Sequence, residues 1–235
     1  MSRFKQIDLF VEKIHQSALK EQLSAVLLYG KQLRQESPNQ KTFHLMFVFS
    51  KIQADSLQLL ADLLCEEMEL NIEPFILIIS ELQKSADVYP IKFMDISENH
   101  EVVFGTDPFD QVEVHKENLR LRCEQELRNI LLRLRYVYVK NEGDLRPVRM
   151  ETKNTLYPIM NNLEVIIMLK KDKIINDYEQ ILSAMHSELD IDVSSIRELK
   201  NWHDSGVEIN HSDFLNLFSR YQKLLDQLIQ IVDLH

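Results

Sequence analysis

Hydrophobic and polar positions change period near the middle of the chain. In residues 4–20, Ile7, Phe10, Val11 and Ile14 recur at helical spacing, which predicts an amphipathic helix. Two short apolar runs follow, Ala25 to Tyr29 closed by Gly30 and Phe43 to Phe49, with the polar segment KQLRQESPNQK between them. Both are predicted as buried strands. Period 3.6 returns from Ala54 to Leu70 through Leu57, Leu60, Leu64 and Met68, with Asp55 and Asp62 on the outer face. Three more strands are expected: Phe75 to Ile79 behind Pro74, Ile91 to Ile96 behind Pro90, and Val102 to Phe104 before Gly105. Helix, strand, strand, helix and three strands give a small mixed α/β sheet, not a regular βαβ repetition.

After Thr106, Asp107 and Pro108 every periodic segment is helical. Leu119, Cys123, Leu127, Ile130, Leu134 and Val137 form one stripe over residues 115–140, closed by Gly143 and Pro147. A second stripe runs from Leu156 to Ile167 and a third from Ile174 to Met185. Ser194 and Ser195 are candidate caps for a short helix reaching His203, and Asp213 for the last helix, striped from Phe214 to Val232. These stripes close a five-helix, bundle-like unit. The expected fold class is α+β, with a mixed-sheet domain over 1–110, a helical bundle over 111–235 and a hinge from Gly105 to Gln111.

Composition removes several functions. Only 4 of 235 residues are glycine, Gly30, Gly105, Gly143 and Gly206, and the closest two are 38 residues apart. Neither a G-x-G-x-x-G dinucleotide loop nor a G-x-x-x-x-G-K-[ST] phosphate loop can be written, and a G-x-S-x-G elbow is excluded likewise. The chain carries 27 Lys and Arg against 37 Asp and Glu, a net charge of −10. Nonspecific binding to nucleic acid needs Lys and Arg against phosphates, so it is not expected. Cys65 and Cys123 each lie in an apolar-periodic run without a partner at metal-ligand spacing, and are expected as reduced core thiols. Charges within the first 13 residues break any signal-peptide core, and no window holds the ~18 apolar residues of a membrane span. A cytoplasmic protein without a membrane partner is expected.

The order of elements carries a resemblance. A helix, a strand ending in Gly30, the strand FHLMFVF, a helix, and the segment VYPIKFMDISENHEVVFGTDPF followed by LRLRCEQELRNILLRLR together resemble the polymerase-β-type nucleotidyltransferase family. The likeness is to its small bacterial two-domain members with a helical C-terminal domain. It implies a glycine and a serine after the first strand to hold a triphosphate, two acids one residue apart on the next strand, and a third carboxylate later. Two Mg²⁺ ions on such oxygens neutralise the triphosphate, activate the attacking hydroxyl and stabilise the leaving pyrophosphate. Carried over, Gly30 matches the loop glycine, and Lys31 stands at the serine position as a candidate phosphate contact. The acid positions hold His44 and Met46, which alternate on one strand face. Imidazole and thioether do not suit Mg²⁺, and no Asp or Glu lies between Glu36 and Asp55. Asp95 in IKFMDI is the single candidate catalytic residue, at the third carboxylate's place.

Other constellations carry less. His44 and His100 are candidates for a transition-metal site with Asp95, against the ordinary structural role of a strand histidine. Arg197 and His203 in RELKNWH have the spacing of some helical RNases, but Glu198 follows the arginine where a different polar residue is expected. Arg120, Arg128 and Arg135, with Arg122 and Arg133 alongside, form a basic stripe either facing a ligand or paired with Glu117, Glu124 and Glu126. Trp202 marks either an interface or a core.

The expected protein is a catalytically degenerate, nucleotidyltransferase-like pseudoenzyme that binds a nucleotide or small ligand in an interdomain cleft, or acts as an interaction module in a homo-oligomer. No metal site is assigned, and Mg²⁺ with a nucleoside triphosphate belongs to it only if activity is retained. The alternatives are an active transferase with an atypical metal site and a helical partner module of toxin–antitoxin type.

Overall fold

The computed structural model describes residues 5–30, 33, 42–141, 144–175 and 177–233. The chain divides into two compact units, Met1–His115 and Lys116–His235. In the first, α1 (Lys5–Gln16) buries Ile7, Phe10, Val11 and Ile14. The Ser17 hydroxyl accepts from the Leu19 N–H at 3.2 Å and donates to the Ile14 carbonyl at 2.9 Å, which ends the helix and turns the chain into the sheet. Strand β1 (Leu23–Tyr29) pairs antiparallel with β2 (Phe43–Phe49) and with β4 (His100–Gly105). After α2 (Ala54–Glu66), β3 (Ile72–Ile78) lies parallel beside β2, and α3 (Leu82–Val88) and α4 (Pro90–Glu98) lead to β4. The strand order is β3-β2-β1-β4. Pro74 is accommodated because β3 is an edge strand, where a missing N–H need not break a ladder.

Both sheet faces are covered, which explains the continuous apolar runs of β1 and β2. Val26, Leu28, Leu45, Phe47 and Phe49 pack with α1 and α2 residues, Phe10 edge-on to Phe47. Ala25, Leu27, Tyr29, Met46 and Val48 pack on the other face with Leu82 and Ala86 of α3 and Phe93 and Ile96 of α4.

Several expectations change. Residues 91–96, expected as a strand, form helix α4. Pro90 takes a first-turn position, where its ring presets the backbone, and Pro90, Ile91, Phe93 and Met94 bury at helical spacing. A six-residue apolar run cannot by periodicity distinguish the two structures. Leu57 and Met68 are exposed, because α2 ends at Glu66 and turns Leu60 and Leu63 inward. Cys65 is exposed rather than core, while Cys123 is buried.

The second unit contains α5 (Lys116–Lys140), α6 (Leu145–Asn154), α7 (Leu156–Lys171), α8 (Tyr178–Leu189), α9 (Ser194–Ser205) and α10 (His211–Asp233). Helix α6 is additional to the five expected: Pro147 sits in its first turn, where no N–H is required, and the Asp144 carboxylate accepts from the Arg146 N–H at 3.0 Å. The expected caps also move. Asp192 accepts from the Ser194 N–H at 2.8 Å, and the Asn210 side chain from the Asp213 N–H at 2.9 Å. Tyr221 is fully buried, its hydroxyl 2.8 Å from that of Thr155. Trp202 is a core anchor against Phe214.

Two glycines make opposite demands. Gly105 has φ +81°, and a Cβ there would stand 2.0 Å from the Ser24 carbonyl oxygen, whereas Gly206 has φ +63° and open space around it. Gly105→Ala is expected to cost about 3 kcal/mol or more and Gly206→Ala about 1 kcal/mol, measured by urea denaturation. Equal costs would contradict the β1–β4 contact.

Candidate functional site

The four strands place one titratable row at the Gly30 end of the sheet. Glu73 of β3 lies in register with His44 of β2, His44 with Tyr29 of β1, and Tyr29 with His100 of β4. Alternation puts this row on the face shared with Met46 and Val48. The next row inward on that face is apolar throughout: Phe75, Met46, Leu27 and Val102. A polar fringe therefore borders a dry interior, and Met46, at 0% exposure, belongs to the interior.

Gly30 ends β1 at φ +97°, a conformation that favours glycine. The His44 ring lies against it, 3.5 Å from where a Cβ would stand, and 5.8 Å from the Tyr29 ring between centroids. Lys31 lies outside the described residues. Asp95 stands on α4, one turn beyond Lys92, and not on a strand of the sheet. Lys92 reaches down from the same helix, with its Nζ 3.7 Å from the Phe75 ring centroid and 5.7 Å from that of Tyr29. The structure thus brings together His44, Gly30, Tyr29, Lys92, Asp95 and Glu73 around one end of the sheet.

The charges act on one another. Burial pushes the Tyr29 phenol up to about 12, with the carboxylates of Asp95 and Glu73 adding to the effect. Partial burial pulls the Lys92 ammonium below its ordinary value, while Glu73 and Asp95 oppose that fall. His100 is held differently: its Nδ1 lies 2.8 Å from the Ile96 carbonyl and its Nε2 3.0 Å from the Asp107 carboxylate. Both ring nitrogens are engaged, so His100 ties the end of α4 to the turn after β4 instead of joining His44 and Asp95 as a ligand.

The donor set does not fit Mg²⁺. An octahedral oxygen site needs carboxylates, whereas His44 and Met46, the alternate β2 positions on this face, carry an imidazole and a thioether, the latter sealed among apolar side chains. Among the described residues, no three His, Cys, Asp or Glu side chains gather closely enough to hold a metal ion.

The remaining candidates are dispersed. Arg120 and Arg128 pair with Glu124, Arg122 with Glu126, Arg133 with Glu151 and Arg135 with Asp226, so each arginine of the basic stripe is engaged by a neighbouring carboxylate. Arg197 pairs with Glu179, while His203 contacts Asp204 and the ring of Tyr157; the two do not converge. Sequence reasoning missed Tyr29, Glu73 and Lys92. Tyr29 directly precedes Gly30, and that adjacency was the available signal. Lys92 was hidden because the segment IKFMDI was expected as a strand.

No family model and no curated protein matches this sequence. Among solved structures the chain is similar to spectinomycin adenyltransferase AAD(9) from Enterococcus faecialis, determined with ATP and spectinomycin. The TM-score is 0.60 at 13% identity, covering 99% of this chain and 100% of that one. The likeness establishes the fold alone: a mixed four-stranded sheet with helices, followed by a helical part, as in that adenyltransferase. No helix among the described residues is long and apolar enough to cross a membrane.

Because the folded-state value of Tyr29 lies above the unfolded one, its stabilising contribution is complete below pH ~10 and is lost as pH rises through about 12. Phenolate absorbance of the wild type minus that of Tyr29→Phe is expected to titrate near 12, and the linked loss of stability to total roughly 2–3 kcal/mol. A midpoint at the ordinary phenol value would show that the row is open to water.

Proposed function

We propose that this chain keeps a nucleotidyltransferase fold without nucleotidyl transfer and acts by binding, with a nucleoside triphosphate as the ligand class. The observation that supports the reading is Met46: where the resemblance implies a second acid, this side chain is fully buried in the row Phe75, Met46, Leu27, Val102 and offers a thioether in place of an oxygen ligand. His44 at the first acid position supports it, since a neutral imidazole is a poor Mg²⁺ ligand. The similar solved protein is an adenyltransferase determined with ATP, which supports the ligand class.

Energetics favour binding over turnover. A metal ion contributes several kcal/mol to the transition state of phosphoryl and nucleotidyl transfer, and each ~1.36 kcal/mol lost is tenfold in rate. With no carboxylate on β2, Glu73 of β3 as the acid beside His44 and Asp95 on α4 rather than on a strand, a pair of acids to hold two ions is lacking in this reading and the leaving pyrophosphate gains no bridging charge.

Purified protein incubated with each nucleoside triphosphate and Mg²⁺ is expected to release no pyrophosphate above the protein-free rate. Metal-dependent release that disappears in Asp95→Ala would overturn this reading and identify an active transferase with an unusual site.

A further inference from the structure

The segment expected as a hinge is tied down along its length. Gly105 presses on the Ser24 carbonyl, and the Thr106 N–H donates to that same oxygen at 3.4 Å. One oxygen of the Asp107 carboxylate accepts from the Phe109 N–H at 2.8 Å while the other meets His100. The Phe109 ring is buried, 5.8 Å from that of Phe93 between centroids. Val112 and Val114 pack against the apolar cluster that holds Leu27, Met46 and Val48, the sheet face that α3 and α4 also cover.

Between those two valines the Gln83 side chain takes hold of a backbone peptide group. Its Nε2 donates to the Glu113 carbonyl at 2.9 Å, and its Oε1 accepts from the Glu113 N–H at 3.0 Å. This is the two-bond exchange of a residue pair in antiparallel strands, made here by a side-chain amide. The Asp87 carboxylate, one turn further along α3, accepts from the same Nε2 at 3.3 Å and so fixes which way round the amide lies. Glu113 is exposed and buries no side chain of its own, which leaves Gln83 as the fastening of that residue.

We infer that residues 106–114 form a strap across the apolar sheet face, latched by Gln83 on Glu113, and that the joint of the chain before α5 lies at His115 instead of between Gly105 and Gln111. The division of the chain into units after His115 agrees with this placement. Helices α3 and α4 are held by their own internal hydrogen bonds, whereas the strap contains only one 3₁₀ turn, Phe109–Gln111. A segment with few internal bonds and one external latch opens at lower cost than the core around it. Gln83 therefore sets how often Val112 and Val114 leave the sheet face and let water reach it.

Hydrogen exchange of the full chain, together with cleavage after Glu113 by a glutamate-specific protease, tests the latch. In the wild type the Glu113 amide is expected to be protected, the His115 amide to exchange freely and cleavage after Glu113 to be slow. Gln83→Leu keeps the bulk and removes both bonds. It is expected to speed Glu113 exchange and cleavage by about tenfold while β1 and α5 exchange as in the wild type. Gln58→Leu, which removes a similar amide–carboxylate pair with Asp62 on α2, is expected to change neither rate. A Glu113 amide that is unprotected in the wild type, a Gln83→Leu variant that behaves as the wild type, or acceleration spread equally over β1 and α5 would each overturn the assignment. None of these readouts depends on a bound nucleotide, so their outcome is separate from that of the function proposed above.

Discussion

Phe93 and Ile96 of α4, with Leu82 and Ala86 of α3, close the sheet face that Leu27, Met46 and Val48 present. Each large apolar side chain so buried contributes roughly 1.5–3 kcal/mol relative to exposure. That contact sets what the Gly30 end can do. It makes the row through Met46 dry, pushes polar chemistry out to the fringe of Glu73, His44, Tyr29 and His100, and lowers Lys92 onto Phe75. The same packing accounts for the Tyr29 phenol, which keeps its proton because it is buried, with the charges of Asp95 and Glu73 adding to the effect.

A shared backbone path does not by itself carry a shared site chemistry. The order β3-β2-β1-β4 is a scaffold that can present acids, or an imidazole and a thioether, at the same two alternate positions of β2. Fold similarity at 13% identity speaks to the scaffold; the side chains decide the reaction. The second unit adds its own closed core, pinned by Tyr221, Trp202 and Phe214, with its surface arginines engaged by neighbouring carboxylates.

Much of the fold was legible because β1 and β2 are covered on both faces and so read as unbroken apolar runs, while α5, α7 and α10 keep long helical stripes. Length decided legibility. The short helix α4 was indistinguishable from a strand, and α6 was masked by Pro147, whose place in a first turn depends on the Asp144 cap. Gly30 and His44 were visible as candidates because a glycine closing a strand and a histidine within an apolar one stand out. Lys92 and Glu73 were not, since their meeting depends on cross-strand register and on the descent of α4, which no local pattern encodes.

The most direct test of the central claim, that this sheet face is sealed against metal, is to introduce acids at His44 and Met46. Urea denaturation of the double variant His44→Asp, Met46→Asp should show a loss of more than about 3 kcal/mol, because a carboxylate is forced into the dry row, with Mg²⁺ recovering none of it. Stability close to wild type that rises with Mg²⁺ concentration, as linkage requires of an ion bound only by the folded state, would contradict it.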